Sequence, residues 1–328
     1  MIRIGAVGAG NILNKHVKQL AGSSEAGIVA VTDLNDESVA AAIEKYFPGQ
    51  EIGGYTDATE MYAKENLDAV IIASPHTLHY GQAVQALDAG CHVFLEKPMT
   101  TSSVDAKALA AKAEAAGKVV AVGYNTASKQ VFQYLRQQIR AETWGKLEMV
   151  TGYISQNWMK ATEGMWRQDP ALSGGGQAYD SGAHILNSLL WSVESEPETV
   201  FALVDNKDCA VDINSVLSVR FANGVLGSIT ISGNCAKSGR HMAFIFENGL
   251  VEIDGWGGSW IKVQAEGFDE VPEMDIPEVE PIANFVASIE GKAEPAAGTR
   301  NGVYHSLLMD AIYASAEKGQ PVKTADLT

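Results

Sequence analysis

Cysteine is scarce. Cys91, Cys209 and Cys235 lie far apart in 328 residues, and no C-x-x-C occurs. An odd, scattered set argues against a disulfide framework or a zinc module and points to a reducing interior. Positive charge is also short: 24 Lys plus Arg against 40 Asp plus Glu gives a formal net charge of −16. That argues against a broad nucleic-acid surface, which needs a basic stripe, and against charge-driven binding to anionic membrane. A local basic pocket for a phosphorylated ligand stays open. Long apolar runs are missing, and the run at 69–73 falls far short of a membrane span. Met1 leads straight into an apolar strand pattern without a charged n-region or cleavage site, so no signal peptide is expected. The expected location is the cytoplasm.

What is present is ordinary for a globular chain of two domains: 46% hydrophobic and 20% charged residues. Over residues 1–123, short apolar runs alternate with helical patterns. Strands are expected at 2–7, 28–32, 69–73, 91–95 and 119–122. Helices are expected from Ile12 to Leu20, from Val39 to Tyr46, around Ala83 to Leu87, and over 106–116. Strands apolar throughout and alternating with helices indicate a parallel doubly wound sheet. Ligands of such sheets sit at the carboxyl ends of strands. The tips to inspect are therefore Gly8 to Gly10, Asp33, Ser74-Pro75 and Glu96-Lys97-Pro98.

After Tyr124 the texture changes. Val131, Leu135 and Ile139 mark a helix, and strand-like runs follow at 147–155, 199–204, 215–221, 225–232, 242–247 and 250–253. Asn223-Gly224 and Asn248-Gly249 sit between paired runs, a hairpin signal. This half, 124–328, reads as a second domain with a largely antiparallel sheet. The acidic stretch 266–281, broken by Pro272, Pro277 and Pro281, reads as a surface loop. Helices follow from Ile282 to Ile289 and from about Asn301 to Lys318.

Three places carry chemistry. Gly8-x-Gly10 after the first strand, with Asn11 and Ile12 opening the helix, lets backbone N–H groups face a pyrophosphate. Asp33, ending the second strand, suits the adenosine ribose hydroxyls and repels a 2′-phosphate, so NAD is favoured over NADP. Lys97, in Glu96-Lys97-Pro98, sits at a central strand tip at the cofactor crevice. In Gly174-Gly175-Gly176-Gln177-Ala178-Tyr179-Asp180-Ser181-Gly182-Ala183-His184, a helix is expected over 177–191, with Asp180, His184 and Asn187 on one face. Trp158, Trp166 and Arg167 precede this loop and suit a sugar pocket, Trp166 best, because a ring can stack on a sugar's C–H face. Asn125 and Asn157 are further polar candidates. His76 and His79 form H-x-x-H, for which no metal is expected; His79 suits a support for the turn beside the nicotinamide.

Together these residues resemble the GFO/IDH/MocA family of oxidoreductases. The resemblance runs over essentially the whole chain. It is carried by the G-x-G with Asp33, by Ser74-Pro75-His76-Thr77-Leu78-His79, by Ala89-Gly90-Cys91-His92-Val93-Phe94-Leu95-Glu96-Lys97-Pro98 and by Gly174 to His184. It implies an α/β protein: an N-terminal Rossmann domain and a C-terminal α/β domain with a large, mainly antiparallel open sheet. It implies a homodimer or homotetramer through that sheet, and a last helix returning towards the first domain.

For activity it implies hydride transfer between a carbinol carbon of a sugar, cyclitol or sugar acid and a nicotinamide. Lys97, Asp180 and His184 would be the catalytic group. Gly8, Gly10, Asn11, Ile12, Asp33, Ser74, Pro75, His79, Glu96, Lys97 and Asn125 would contact cofactor. Lys97, Asn157, Trp166, Arg167, Asp180, His184 and Asn187 would contact substrate. An NAD-retaining glycosidase or epimerase-like enzyme is the alternative, and a non-catalytic NAD-sensing regulator the third reading. The chain departs from the family at Leu13, where the third glycine is usual; at Asn187, often Asp; and at 124–128, which lacks the Arg often found there.

Overall fold

The apolar, β-branched runs of the first half become strands of a parallel sheet, because strands buried on both faces need apolar side chains throughout. The computed structural model describes residues 1–266 and 268–327. In chain order the first half contains β1 (Ile2–Val7), α1 (Leu13–Leu20), β2 (Ala26–Thr32), α2 (Asp36–Tyr46), β3 (Gly53–Tyr55), α3 (Ala58–Lys64) and β4 (Ala69–Ile72). It continues with α4 (His79–Asp88), β5 (His92–Leu95), α5 (Ser103–Ala116) and β6 (Val120–Val122). The second half contains α6 (Gln130–Arg140), β7 (Leu147–Ser155), α7 (Trp158–Ala161), α8 (Pro170–Ser173), α9 (Gly182–Val193), β8 (Pro197–Asp205), β9 (Asn214–Phe221) and β10 (Leu226–Ser232). It closes with β11 (Gly239–Phe246), β12 (Gly249–Ile253), β13 (Ile261–Ala265), β14 (Phe268–Glu270), α10 (Pro281–Ile289), α11 (Thr299–Lys318) and β15 (Val322–Lys323).

Two compact units result. The first holds Met1–Thr100, Asp105–Gly123 and Glu280–Arg300; the second holds Thr101–Val104, Tyr124–Val279 and Asn301–Thr328. Thr328 itself lies outside the described residues.

The first unit is a six-stranded sheet in the order β3-β2-β1-β4-β5-β6, every pair parallel. The order reverses between β1 and β4, where a doubly wound sheet opens its ligand crevice. Strand β3 and helix α3 have no counterpart in the sequence reading. The three residues of β3, Gly-Gly-Tyr, carry no apolar run; backbone pairing to β2 makes them a strand. Side-chain caps set two helix starts: Asn35 accepts the Ser38 N–H before α2, and Asp57 accepts the Thr59 N–H before α3.

The segment Glu280–Arg300 was expected within the second domain, 124–328, yet it is compact with the first unit. Its helix α10 places Ile282, Phe285 and Val286 in one buried cluster with Leu13, Leu20, Ile71 and Phe94. Burying that apolar face decides where the segment belongs. Helix α11, which the resemblance places back towards the first domain, is compact with the second unit from Asn301 on.

The second unit is built on a nine-stranded sheet in the order β14-β13-β12-β11-β7-β10-β9-β8-β15. All pairs are antiparallel except β7 with β10. The turns at Asn223-Gly224 and Asn248-Gly249 join β9 to β10 and β11 to β12, as the hairpin signal predicted. Along β9, burial alternates strictly. One sheet face is covered by α9, whose residues are buried except for His184. The opposite face exposes Met149, Tyr153, Phe201, Leu203 and Val216.

The surface loop expected over 266–281 contains β14, paired to β13. Phe-Asp-Glu carries little strand signal; the open edge of β13 recruits it by backbone hydrogen bonds. Gly267, inside that stretch, lies outside the described residues.

Candidate active site

Register brings the tips of the first sheet into one row. Val7 is opposite Thr32 and Ile72, Ile72 is opposite Leu95, and Leu95 is opposite Val122. Gly8, Asp33, Ala73, Glu96 and Gly123 therefore leave the sheet side by side.

Gly8 has φ +101°, and a Cβ there would stand 2.8 Å from the Ala73 carbonyl oxygen. Only glycine fits this turn. Gly10 is the opposite case, since a Cβ there would meet nothing within 4 Å. Gly10, Asn11 and Ile12 are exposed just before α1. An open turn at a helix start, with its backbone N–H groups unobstructed, fits a pyrophosphate. The Asp33 carboxylate accepts from the Ala9 N–H at 2.9 Å and from the Asn35 N–H at 3.2 Å. A carboxylate offers about four lone-pair positions, so acceptor capacity remains for ribose hydroxyls. The residues present thus fit a dinucleotide. Leu13, standing where a third glycine is usual, is fully buried in the apolar cluster under β1.

Lys97 is half-buried at the tip of β5, and the Lys97–Pro98 peptide is cis. The neighbouring carboxylate turns inward: His16 Nε2 of α1 lies 2.9 Å from Glu96 Oε1. Burial works to raise the Glu96 pKa, but the His16 contact and the charges of Lys15 and Lys97 outweigh it and hold the carboxyl below its ordinary value. Glu96 therefore ties the glycine-turn helix to the Lys97 tip. Sequence reasoning missed His16; its one signal was a polar residue at an inward position of α1.

Ser74 donates to Gln82 Oε1 at 2.5 Å, and Pro75 is half-buried. His79 corrects an expectation. It is fully buried, with Nδ1 2.7 Å from the Pro98 carbonyl and Nε2 3.0 Å from the Ser74 carbonyl. A residue without exposed surface offers no contact to a cofactor; His79 braces the β4 and β5 tips. Burial pushes its pKa down against the pull of the two carbonyls.

In the second unit the helix expected over 177–191 begins only at Gly182, and 177–181 form turns. Asp212 is the reason. Its buried carboxylate accepts from the Gly176 N–H at 2.6 Å and the Ala178 N–H at 2.8 Å, and its carbonyl accepts from the Gln177 N–H at 2.9 Å. Tyr313 of α11 donates to the same carboxylate at 2.5 Å. Burial first, and the Asp212 charge second, push the Tyr313 pKa well above its ordinary value, so the phenol remains the donor. The approach is so close that a Cβ on Gly176 would stand 2.0 Å from the Asp212 carbonyl oxygen. This explains Gly176, while a Cβ on Gly175 would run into the Tyr313 hydroxyl and one on Gly174 into Thr101; nothing in the sequence marked Asp212.

Asp180 leaves this loop buried. Its Oδ2 accepts from Trp158 Nε1 at 2.7 Å and from Arg167 Nε at 3.1 Å, and the Arg167 guanidinium lies over the Trp166 ring at 4.5 Å. The structure thus brings together Asp180, Arg167, Trp166 and Trp158. Trp158 is buried as a donor to Asp180 and does not line open space. Asn157 is exposed at the start of α7, and Asn125 is half-buried before the turn 126–128. His184, two residues into α9, is half-buried. Asn187 is fully buried on the same helix and donates to Thr126 Oγ1 at 3.0 Å. It corrects another expectation, since it has no surface to offer a substrate. Packing against the turn 126–128 takes up its amide instead.

A doubly wound unit with an open glycine turn and an acidic second-strand tip defines a dinucleotide-binding fold. The family model described as "Oxidoreductase family, NAD-binding Rossmann fold" matches residues 2–124. The GFO/IDH/MocA C-terminal domain model matches 132–252. The chain belongs to the GFO/IDH/MocA family of oxidoreductases.

Among relatives, it is 28% identical over 191 residues to D-glucoside 3-dehydrogenase of Escherichia coli, covering 58% of this chain and 53% of that one. The chain thus spans about half the length of that curated relative. It is 24% identical to myo-inositol 2-dehydrogenase of Thermotoga maritima over 99% of both chains. The WlbA dehydrogenase of Chromobactrium violaceum, solved with NADH and UDP-GlcNAcA, shares the fold. It superposes with a TM-score of 0.85 at 24% identity, over 98% of this chain and 95% of that one. Among the described residues no helix is long and apolar enough to cross a membrane.

Proposed function

We propose that this protein is an NAD-dependent dehydrogenase that oxidises or reduces a carbinol carbon of a sugar, cyclitol or sugar acid. One observation carries the reading: the open Gly8–Gly10 turn, Asp33 and Lys97 leave β1, β2 and β5 of one parallel sheet at its carboxyl edge. The relatives that act on glucosides and inositol support the substrate class.

A bound nicotinamide supplies the hydride acceptor for oxidation. The chain supplies the rest. Gly8 and Gly10 give the backbone approach to the pyrophosphate, and Asp33 holds the ribose. His184 takes the proton of the substrate hydroxyl; an ordinary imidazole titrates near neutrality, which suits it to that transfer. Lys97 donates to the same oxygen and stabilises its developing negative charge. Asp180, held by Trp158 and Arg167, orients the substrate oxygen or the imidazole. Arg167 and Trp166 offer a guanidinium and a ring face to the sugar.

The test is NADH formation at 340 nm from NAD⁺ with a panel of cyclitols, aldoses and uronates. A clear rate with one group is expected. Silence across the panel, with NAD retained by the purified protein, would replace this reading with the glycosidase or epimerase one.

The same assay tests cofactor choice. The parent protein is expected to prefer NAD⁺ over NADP⁺. Asp33→Ala should weaken NAD binding and raise the NADP⁺ to NAD⁺ ratio of kcat/KM by on the order of tenfold, about 1.4 kcal/mol. A parent protein that prefers NADP⁺ would show the reading of Asp33 to be wrong.

A homodimer or homotetramer through the open sheet face is part of this proposal, supported by exposed Phe201, Leu203 and Val216 on β8 and β9. Light scattering on the purified chain should return two or four times 34.9 kDa. A monomer across the micromolar range would contradict it.

A further inference from the structure

Between β12 and β13 the chain runs Asp254-Gly255-Trp256-Gly257-Gly258-Ser259-Trp260, a segment the mechanism above leaves unused. Asp254 organises it. Its carboxylate is buried and accepts from the backbone N–H groups of Trp256 at 3.2 Å and Gly257 at 3.1 Å. It also accepts from Ser259, through N–H at 3.3 Å and Oγ at 2.6 Å. Arg240 of β11 adds Nε at 2.6 Å. Five hydrogen bonds on one carboxylate leave the loop little freedom.

What the loop presents is the Trp256 indole, stacked on the His184 imidazole with ring centroids 4.4 Å apart and planes 17° from parallel. The Arg240 guanidinium lies 5.6 Å from the indole centroid, so one arginine ties the loop anchor and the ring together. Both stacked rings are half-buried.

We infer that Trp256 is a positioning residue for His184, a plate that fixes the plane of the imidazole. The inference rests on His184 being the base proposed above. The histidine ring torsion is broad, so a half-buried imidazole has no intrinsic ring orientation. A face-on partner selects one plane. The ring nitrogens carry their hydrogens and lone pairs in that plane, so the stack leaves their hydrogen bonding intact. Proton transfer requires the nitrogen within about 3 Å of the hydroxyl and aligned with it, and that geometry is what the stack secures in advance. Trp256 need touch neither substrate nor cofactor to do this.

Two readouts on the full chain test the inference. The first is independent of turnover. In ¹H–¹⁵N and ¹H–¹³C spectra, with the His184 signals assigned by their loss in His184→Asn, the ring protons should be shifted upfield by the indole ring current. Trp256→Leu should move them downfield, and Trp256→Phe should leave part of the shift. The second readout is kinetic. Trp256→Leu should lower kcat by on the order of tenfold with the KM for NAD⁺ unchanged, and Trp256→Phe should restore most of the loss.

Unshifted His184 protons in the parent protein would overturn the inference. So would a Trp256→Leu variant whose sugar KM rises while kcat holds, because Trp256 would then be a substrate contact. If His184→Asn turns over normally, the proposed base is wrong, whatever the spectra show; the two failures are thus distinguishable.

Discussion

His184→Asn is expected to lower kcat by at least about 10²-fold while leaving NADH binding within twofold of the parent value. The size is that of a lost general acid–base group. Sparing of NADH binding is expected because the proposal gives the dinucleotide to the glycine turn and Asp33 and gives His184 only the substrate proton. Lys97→Met should cost a similar factor in kcat for a different reason. In the proposed mechanism it removes the charge that stabilises the developing alkoxide, so the loss should fall on the transition state more than on ground-state sugar binding. Under the proposed mechanism both groups serve one substrate oxygen, so the two substitutions should be less than additive. Steady-state kinetics of the single and double variants decide this. Turnover within threefold of the parent in either single variant would remove that residue from the mechanism.

The second large effect is on stability. Asp212→Ala should destabilise the protein by about 3–5 kcal/mol, the scale for stranding three buried donors at about 1–3 kcal/mol each. The stranded groups are the N–H groups of Gly176 and Ala178 and the Tyr313 hydroxyl. Tyr313→Phe removes a single donor from the same carboxylate and should cost about 1–2 kcal/mol. Gly176→Ala should rank with Asp212→Ala, because its Cβ would meet backbone, at 2.0 Å from the Asp212 carbonyl oxygen, and neither strand of chain can yield cheaply. Thermal melts are the measurement. A Tm fall of roughly 5–10 °C is expected for Asp212→Ala and a smaller one for Tyr313→Phe. An unchanged melting temperature in Asp212→Ala would mean that the glycine loop is held by something else.

These two predictions mark what the sequence could and could not disclose. The glycine turn, Asp33 and the Glu96-Lys97-Pro98 tip were legible, because strand, tip and helix are contiguous in the chain and the burial pattern of parallel strands is local. The long second sheet was legible for a related reason: alternation and Asn-Gly turns report each hairpin in place. Asp212 and Trp256 were not. Asp212 meets the glycine loop across 34 to 36 residues and Tyr313 across 101. No local pattern encodes that meeting. The glycines recorded only that something comes close, not what.

His79 and Asn187 show the converse error. Their motif positions suggested ligand contacts, but burial is a tertiary property, and both side chains are spent on internal hydrogen bonds. The expectation that Glu280–Arg300 belongs to the second domain failed in the same way, since an amphipathic helix states that it will bury a face but not against which partner.

The measurement closest to the central claim follows the carbinol hydrogen itself. The full chain is incubated with NAD⁺ and its best substrate, deuterated at the ring carbons, and the reduced nicotinamide is isolated and analysed by mass spectrometry and proton NMR. Reduced cofactor carrying a single deuterium at nicotinamide C4 is expected. Reduced cofactor free of deuterium, or deuterium lost to water without net reduction, would contradict direct hydride transfer from the carbinol carbon.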